Sequence, residues 1–545
     1  MRGSQGHELW DSTLNSCAFL AKAARQFPAQ LALSHGNEAI SYREFYERAL
    51  RVGGNLRARG LSRGDRVAFW LANTPRILEI IYGCFAAGLV VVPINARLHP
   101  REAAYILRNS GAEVLIHGSE YGQSILEHVD EFEALKHRIC TGPANDAAHY
   151  DELLAPQFAL DEYEAVAAID PCWLFYTSGT TGRPKGATWT HRTVRVVVMN
   201  YLADVYNIQP GEVVLHAAPM SHGSGIVALP AIARGATNVS MQTKSFEPKA
   251  LFESIERLRV SHIAFLAPTQ IIKMLEEYVP GEYDLSSLRA ICYGGAPIHV
   301  EHLRAAIRTF GPVFAQIYGQ GEAPITITGL NAAAHARFAD SDDPRIGSAG
   351  TARTDVEVRC VDTVGRELPP GKEGEIVVRG DIVMQGYWND PQATAEAVRD
   401  GWLYTGDIGA FDDQGYLYLL DRAKDMIITG GNNVYPREVE EVIVRHPAVA
   451  EVVVCGVPHA YWGEAVHAVV VLAPEASATP EEIIRHCGEH LAGYKKPKGV
   501  DFVKALPVSG YGKVLRREVR DWYWRDQSTR IGGGQLAPVR EMSRP

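Results

Sequence analysis

From about Ala18 the chain alternates between two hydrophobic periods. Ser41-Tyr42-Arg43-Glu44 is a capping box, and helical spacing follows it to about Arg59. Asp65 to Leu71, DRVAFWL, is an apolar run of strand length. Thr74-Pro75 stands at the start of a second helix, with Pro at its first position. Val90 to Ile94 reads as a buried strand, His99 to Ser110 as a helix, and Glu113 to His117 as a strand. Helices alternating with strands in this way predict a parallel sheet with helices on its faces. Further on, Tyr416 to Leu420 is a strand, and Asp421-Arg422-Ala423-Lys424-Asp425 is a charged break. Beyond it the pattern gives a strand Met426–Ile428, a tight turn Thr429–Asn433, a helix Pro436–Arg445, strands Glu451–Cys455 and Ala465–Leu472, and a helix capped by Thr479-Pro480-Glu481-Glu482.

The expected fold is therefore α/β. A large N-terminal domain, residues 1–421, has parallel-rich sheets with flanking helices, and a small α+β C-terminal domain covers 422–545. Residues 1–15 read as a loose lead-in, and the tail after about 530, which opens with Gly532-Gly533-Gly534, as disordered.

Composition changes this picture little. A chain of 545 residues is too long for one core, which agrees with two domains. With acidic and basic residues interspersed and a net charge of −10, no basic face is expected, so nucleic acid is excluded as a partner. The eight cysteines are scattered through apolar runs with no Cys-x-x-Cys, so they read as reduced core residues of a cytoplasmic protein. The N-terminus lacks a signal-peptide core. The most apolar run, Ile80 to Ile94, contains Gly83 and Gly88 and is too short to span a bilayer, so no transmembrane segment is expected.

The chemistry concentrates in Tyr176 to Ala187, YTSGTTGRPKGA. The apolar strand Cys172–Tyr176 precedes it, and Ala187 to Val198 reads as the start of a helix. Glycine lets backbone N–H groups approach an anion closely, and the hydroxyls of Thr177, Ser178, Thr180 and Thr181 can each donate. Lys185 adds a compact positive charge behind Pro184. Gly179 and Gly182 are too close, and Lys185 is followed by Gly186, so this is not a Walker A loop. Alone it reads either as a grip on triphosphate or as a solvated turn. The string TSGTTGRPKG resembles the phosphate loop of the AMP-forming adenylating superfamily of acyl-CoA synthetases, peptide-synthetase adenylation domains and beetle luciferases.

Four further segments resemble that family in the same order. Ala290 to Pro297, AICYGGAP, is a strand running into Gly294-Gly295, and the resemblance makes Gly294, Gly295, Ala296 and Pro297 adenine contacts. Phe314 to Pro324, FAQIYGQGEAP, is similar to the family's Tyr-Gly-x-Thr-Glu motif. It implies Gln316, Tyr318 and Gly319 at the nucleotide and Glu322 on a Mg2+ ion. Gly321 stands where the family has Thr, whose hydroxyl meets the α-phosphate. Gly386-Tyr387-Trp388 leads to Trp402–Asp407, WLYTGD, which resembles the ribose-binding segment, with Asp407 as anchor and Arg422 as second contact. Lys424 falls at the family's hinge, about which a mobile C-terminal domain turns. Gly431 falls at the CoA channel and Lys513, in LPVSGYGKVLR, at the catalytic lysine.

The resemblance implies an acyl-CoA ligase. Thr177, Lys185, Glu322 and Lys513 would serve catalysis, and the substrates would be a small-molecule carboxylic acid, ATP and CoA, with Mg2+. His222, after the strand Val213–Ala218, reads either as a structural histidine or as a pocket wall. The acyl pocket is expected from His222, Gly223, Gly225, Gly319 and Ala323. Its glycines suggest depth and its lack of charge an apolar acid: medium- or long-chain fatty, aromatic or alicyclic. The runner-up is an adenylating enzyme that loads a carrier protein in trans. A regulatory nucleotide-binding protein would be expected to lack Lys513 or Glu322. Whether the chain forms a homodimer is open.

Overall fold

The structure is a computed structural model. It describes residues 14–127, 134–143, 147–177, 184–243, 245–296, 298–339, 341, 343–422, 425–429, 432–459, 462–508 and 514–524. The chain packs as two compact units. The first comprises Met1–Pro297, Ala305–Arg359 and Val377–Thr405, and the second Ile298–Arg304, Cys360–Ile376 and Gly406–Pro545.

Two sheets carry the first unit. One has eight strands in the spatial order Gly386–Tyr387, Lys185–Thr190, Pro171–Thr177, Val90–Asn95, Arg66–Leu71, Val114–His117, His137–Cys140 and Ala148–His149. From Pro171–Thr177 to Ala148–His149 every neighbouring pair is parallel. The other has nine, in the order Thr351–Ala352, Thr328–Leu330, Phe314–Tyr318, Ala290–Gly294, His262–Leu266, Val213–His216, Thr237–Ser240, Leu31–His35 and Glu38–Ser41. Its interior pairs, from Phe314–Tyr318 to Leu31–His35, are also parallel. Strands covered on both faces read as continuous apolar runs, which is why Val90–Asn95 and Val114–His117 are buried along their whole lengths.

Helix Arg76–Ala86 is fastened to its neighbours through a buried charge. Glu79 is fully buried, and its Oε1 accepts from Arg76 at 2.6 Å and from Arg48 at 3.1 Å. The Tyr150 hydroxyl donates to Oε2 at 2.9 Å. Two guanidinium groups and a phenol thus compensate a carboxylate that could not stand alone in the core.

The second unit contains a five-stranded sheet in the order Asn432–Val434, Ile427–Thr429, Gly463–Leu472 and Val449–His459, with Gly499–Phe502 parallel to Gly463–Leu472. Period-two alternation splits its faces. Val452 and Val454 pack with helices Pro436–Ile443 and Pro480–His490, while Val453 and Cys455 pack with helix Arg516–Trp524. The Thr479–Glu482 capping box forms as expected.

The structure departs from the sequence reading at several ends. Lys185–Thr190 is a strand, antiparallel to Pro171–Thr177, and the helix begins only at His191. The expected phosphate loop is therefore followed by a strand and not by a helix. Ser41 caps helix Tyr42–Ala58, but the Glu44 carboxylate pairs with Arg48 instead of turning back to the cap. Pro75 is the N-cap of helix Arg76–Ala86 and not its first residue. The strand before the charged break runs on through Asp421 to Arg422. The eight cysteines are buried and unpaired. No helix among the described residues is long and apolar enough to cross a membrane. Of the expected lead-in 1–15, residues 1–13 lie outside the described residues, as do the tail after 530 and the turn residues 430–431, while Asn15 is buried and donates to the Phe85 carbonyl at 2.6 Å.

Burial lowers the imidazole pKa of His191 and His262 to about 3, and that of His216 and His335 to about 4. An unfolded histidine takes up its proton near pH ~6.5 and these do so only well below it. Their contribution to stability is therefore complete above that pH and is lost as pH falls toward the folded values, by about 1.4 kcal/mol per group per pH unit. The denaturant midpoint is expected to fall between about pH 6.5 and 4.5, before most carboxylates titrate. A midpoint that stays constant across that window would contradict the assignment.

Candidate active site

The carboxyl ends of parallel strands from both sheets supply the site of the first unit. Gly294, Tyr318 and, one residue before its strand's end, Phe265 belong to the nine-stranded sheet, and Thr177 to the eight-stranded one. Thr177 and Lys185 are register partners across their hairpin, so their side chains share a face. Strand Gly386–Tyr387 adds to the outer side of Lys185–Thr190.

Glu322 lies at the centre of this arrangement. The Tyr387 hydroxyl donates to its Oε1 at 2.6 Å and the Thr177 hydroxyl to the same oxygen at 3.3 Å. Burial, followed by the Glu322 charge, pushes the Tyr387 phenol well above its ordinary range, so it remains a donor at neutral pH. The ring of Tyr387 faces the Lys185 ammonium, 5.0 Å from its centroid. One aromatic residue thus holds the carboxylate by its hydroxyl and the cation by its face. The Glu322 backbone is also fixed, its carbonyl accepting from Met384 N–H at 2.8 Å.

Gly321, the departure from the family motif, fits a filled space. Its carbonyl accepts from Trp189 Nε1 at 2.7 Å. A Cβ there would collide with the Thr177 methyl and stand 2.8 Å from Phe175 Cδ1. Phe175 cannot easily yield, because its ring stacks on Trp189 at 4.9 Å and meets His222 edge-on at 5.0 Å. The missing threonine side chain is thus replaced by an aromatic stack.

Gln316 and Tyr318 lie two apart on one strand and so share a face. The side-chain oxygen of Gln316 is buried without a hydrogen-bond partner among the described residues. Gly294 is buried, and Gly295 next to it is exposed with φ +76°. His222 is half-buried, its Nδ1 is 3.0 Å from the Ser221 hydroxyl, and burial lowers its pKa to about 3, so it is neutral at physiological pH.

The residues expected to form the acyl pocket differ in their surroundings. Cβ atoms at Gly223 and at Gly295 would each meet the Phe265 ring at 3.4 Å, so these glycines flank one aromatic. Gly225 instead abuts the Met220 carbonyl inside helix Gly223–Arg234. Gly319 is backed by the Ile325 backbone, with Ile325 Cα 2.6 Å from where a Cβ would stand. Ile325 itself has φ +44°, a strained conformation for a β-branched residue. Ala323 is fully buried, and its carbonyl accepts from Gln320 N–H at 2.9 Å. Gly225, Gly319 and Ala323 therefore stand in closely packed surroundings.

Asp407 belongs to the second unit. It lies inside strand Trp402–Phe411, where Gly406 has φ +70°, and not after a turn. It is buried, at 9% exposure, and sits opposite Arg422 in the antiparallel register. Ser178, Gly179, Thr180, Thr181, Gly182, Pro297, Lys424, Gly431 and Lys513 lie outside the described residues. Tyr387, Phe175, Trp189 and Phe265 were missed in the sequence. Only the string Gly386-Tyr387-Trp388 drew notice, and nothing local ties its tyrosine to a carboxylate 65 positions earlier.

Hard oxygen donors beside a lysine, at the carboxyl edge of parallel strands, are groups of the kind that suit a phosphorylated substrate. The family model for the AMP-binding enzyme matches residues 20–388, and that for the AMP-binding enzyme C-terminal domain matches residues 438–513. A feruloyl-CoA synthase from Amycolatopsis sp is 39% identical over 503 residues, covering 92% of this chain and 97% of its own. A fatty acid–[acyl-carrier-protein] ligase from Streptomyces coeruleorubidus is 34% identical over 523 residues, covering 93% and 96%. The crystal structure of an anthranilate CoA ligase in complex with anthranoyl-AMP superposes with a TM-score of 0.86 at 26% identity, over 94% of this chain and 97% of that one. The chain belongs to the AMP-binding enzyme family, in its branch of adenylate-forming acid–CoA ligases.

Replacing Tyr387 with Phe removes one charge-assisted hydrogen bond from Glu322, which is expected to lower acid-dependent ATP–pyrophosphate exchange about tenfold or more. Gly321→Thr restores the family residue into occupied space and is expected to lower both exchange and melting temperature, at about 1–3 kcal/mol. Full activity in Tyr387→Phe, or unaltered stability in Gly321→Thr, would contradict these assignments.

Proposed function

We propose that the chain joins an aromatic carboxylic acid to CoA through an acyl-adenylate, releasing pyrophosphate and AMP. The observations that carry the choice of acid are the edge contact of Phe175 with His222 and the Phe265 ring flanked by Gly223, the neighbour of His222, and Gly295. Flat rings packed beside two glycines suit a flat acyl group. The packed surroundings of Gly225 and Gly319 leave no such argument for a long alkyl chain. A neutral His222 adds no charge to an apolar wall. The names of the feruloyl-CoA synthase and the anthranilate CoA ligase support the same class.

A carboxylate is a poor electrophile because oxide is a poor leaving group. Attack of its oxygen on the α-phosphate of ATP expels pyrophosphate and gives the carbon an AMP leaving group, which the CoA thiolate then displaces. The protein's task is positioning and charge compensation. Lys185 and the loop hydroxyls of Thr177 to Thr181 would take the outer phosphates. Among the described residues, the Tyr387 and Thr177 hydroxyls bind one oxygen of Glu322, an arrangement that suits a hard cation on the other, and Mg2+ bound there would offset triphosphate charge. The unpartnered Gln316 oxygen would accept from the adenine amino group, and Tyr318 on the same face would stack on the ring. Asp407 and Arg422 would hold the ribose. Lys513 would bridge acid and α-phosphate. A turn of the C-terminal domain about Lys424 would then bring Gly431 beside the thiol.

The second reading keeps the adenylate and replaces CoA by a carrier protein acting in trans. It is favoured by the name of the Streptomyces coeruleorubidus relative.

Two variants separate the half-reactions. Lys513→Ala is expected to abolish acid-dependent ATP–pyrophosphate exchange and to spare CoA attack on a supplied acyl-adenylate. Gly431→Leu is expected to do the reverse. An equal loss of both activities in either variant would refute the assigned role.

A further inference from the structure

A cluster of metal-ligating side chains lies in the second unit, on helix Pro480–His490. His486, Glu489 and His490 fall at positions i, i+3 and i+4, so helical geometry puts all three on one face. Their candidate ligand atoms lie within 4.8 Å of one another. The imidazole centroids of His486 and His490 are 4.8 Å apart. Two histidines one turn apart on a helix form the chelating pair used by helical zinc motifs.

The hydrogen bonds of these rings prepare them for a metal. The Nε2 of His486 lies 3.0 Å from the Val442 carbonyl, on the neighbouring helix Pro436–Ile443. The Nδ1 of His490 lies 2.9 Å from the His486 carbonyl. A carbonyl only accepts, so each of these nitrogens carries the proton, and the opposite nitrogen of each ring presents its lone pair. A backbone carbonyl that fixes tautomer and ring orientation is the usual outer partner of a metal-ligating histidine. The trio also occupies the last turn of its helix, where the macrodipole favours positive charge. Cys487 is turned away and fully buried, so it takes no part.

We propose that His486, Glu489 and His490 form a site for one borderline divalent cation of the Zn2+ class, with water completing the coordination. Two imidazoles and a carboxylate suit such an ion, whereas Mg2+ prefers oxygen ligands throughout. His446, whose ring centroid is 5.4 Å from that of His486, stands beside the site. Its Nδ1 accepts from Ala448 N–H at 3.3 Å, so the neutral ring presents its second nitrogen as a donor and does not enter the ligand set.

The test is isothermal titration of Zn2+ into the metal-stripped full-length chain without nucleotide, beside His490→Ala and the double variant His486→Gln/His490→Ala. His490 and Glu489 are exposed, so equal melting temperatures in EDTA are expected for wild type and His490→Ala. The wild type is expected to bind one Zn2+ that excess Mg2+ does not displace. The affinity should fall about tenfold or more in His490→Ala, and the site should vanish in the double variant. Co2+ bound to the wild type should show visible d–d absorption that the double variant lacks. Unchanged Zn2+ stoichiometry and affinity in the double variant, or no Zn2+ binding by the wild type, would overturn the proposal.

Discussion

A single carboxylate, held from two sides, organises the first unit's site. Glu322 sits in the loop after a strand of the nine-stranded sheet, and its side-chain donors among the described residues, Tyr387 and Thr177, come from the eight-stranded one. A half-buried anion must be compensated by hydrogen bonds or charge, and here the compensation ties the two sheets together. Tyr387 reaches it from the edge strand that also pairs with Lys185–Thr190. Any shift of that hairpin relative to the Glu322 loop lengthens a bond to a charged group. The Glu322 carboxylate, the Lys185 ammonium and the Thr177 and Tyr387 hydroxyls therefore hold their geometry as a set.

The glycines around this carboxylate follow from the same crowding. Gly321 lacks a side chain because the Thr177 methyl and the Phe175 ring fill its space, and Gly319 because the Ile325 backbone does. An apparent loss of a phosphate-binding hydroxyl is thus coupled to an aromatic stack of Phe175 on Trp189. The positive φ of Ile325 is a cost that this tight loop sustains through its hydrogen bonds, Gln320 N–H to the Ala323 carbonyl and Ile327 N–H to the Tyr318 carbonyl.

Much of this was legible in the chain. The strand Arg66–Leu71, the following helix and strand, and the cap at Thr479 depend on local periodicity and local hydrogen bonds, which sequence displays directly. The family motifs likewise point to Thr177, Lys185 and Glu322 as neighbours. What sequence could not display was pairing. KGATWT has neither a clean strand period nor a helical one, and becomes a strand because Pro171–Thr177 offers it a ladder. Gly406, just before Asp407, has a positive φ that the chain absorbs within a continuous strand. Tyr387 became a functional candidate only once folding brought its hydroxyl to Glu322. Gly225 and Gly319 read as depth in the sequence, yet a Cβ at either would meet backbone in the fold.

The central claim is that this site adenylates an aromatic acid and passes it to CoA. Pyrophosphate release with ATP and Mg2+ over a panel of acetate, hexanoate, palmitate, benzoate, a cinnamate and several amino acids, each with and without CoA, tests it most directly. The account predicts that release is greatest with the aromatic acids and rises strongly when CoA is added. Preference for palmitate, or pyrophosphate release with an aromatic acid that CoA leaves unchanged, would contradict it.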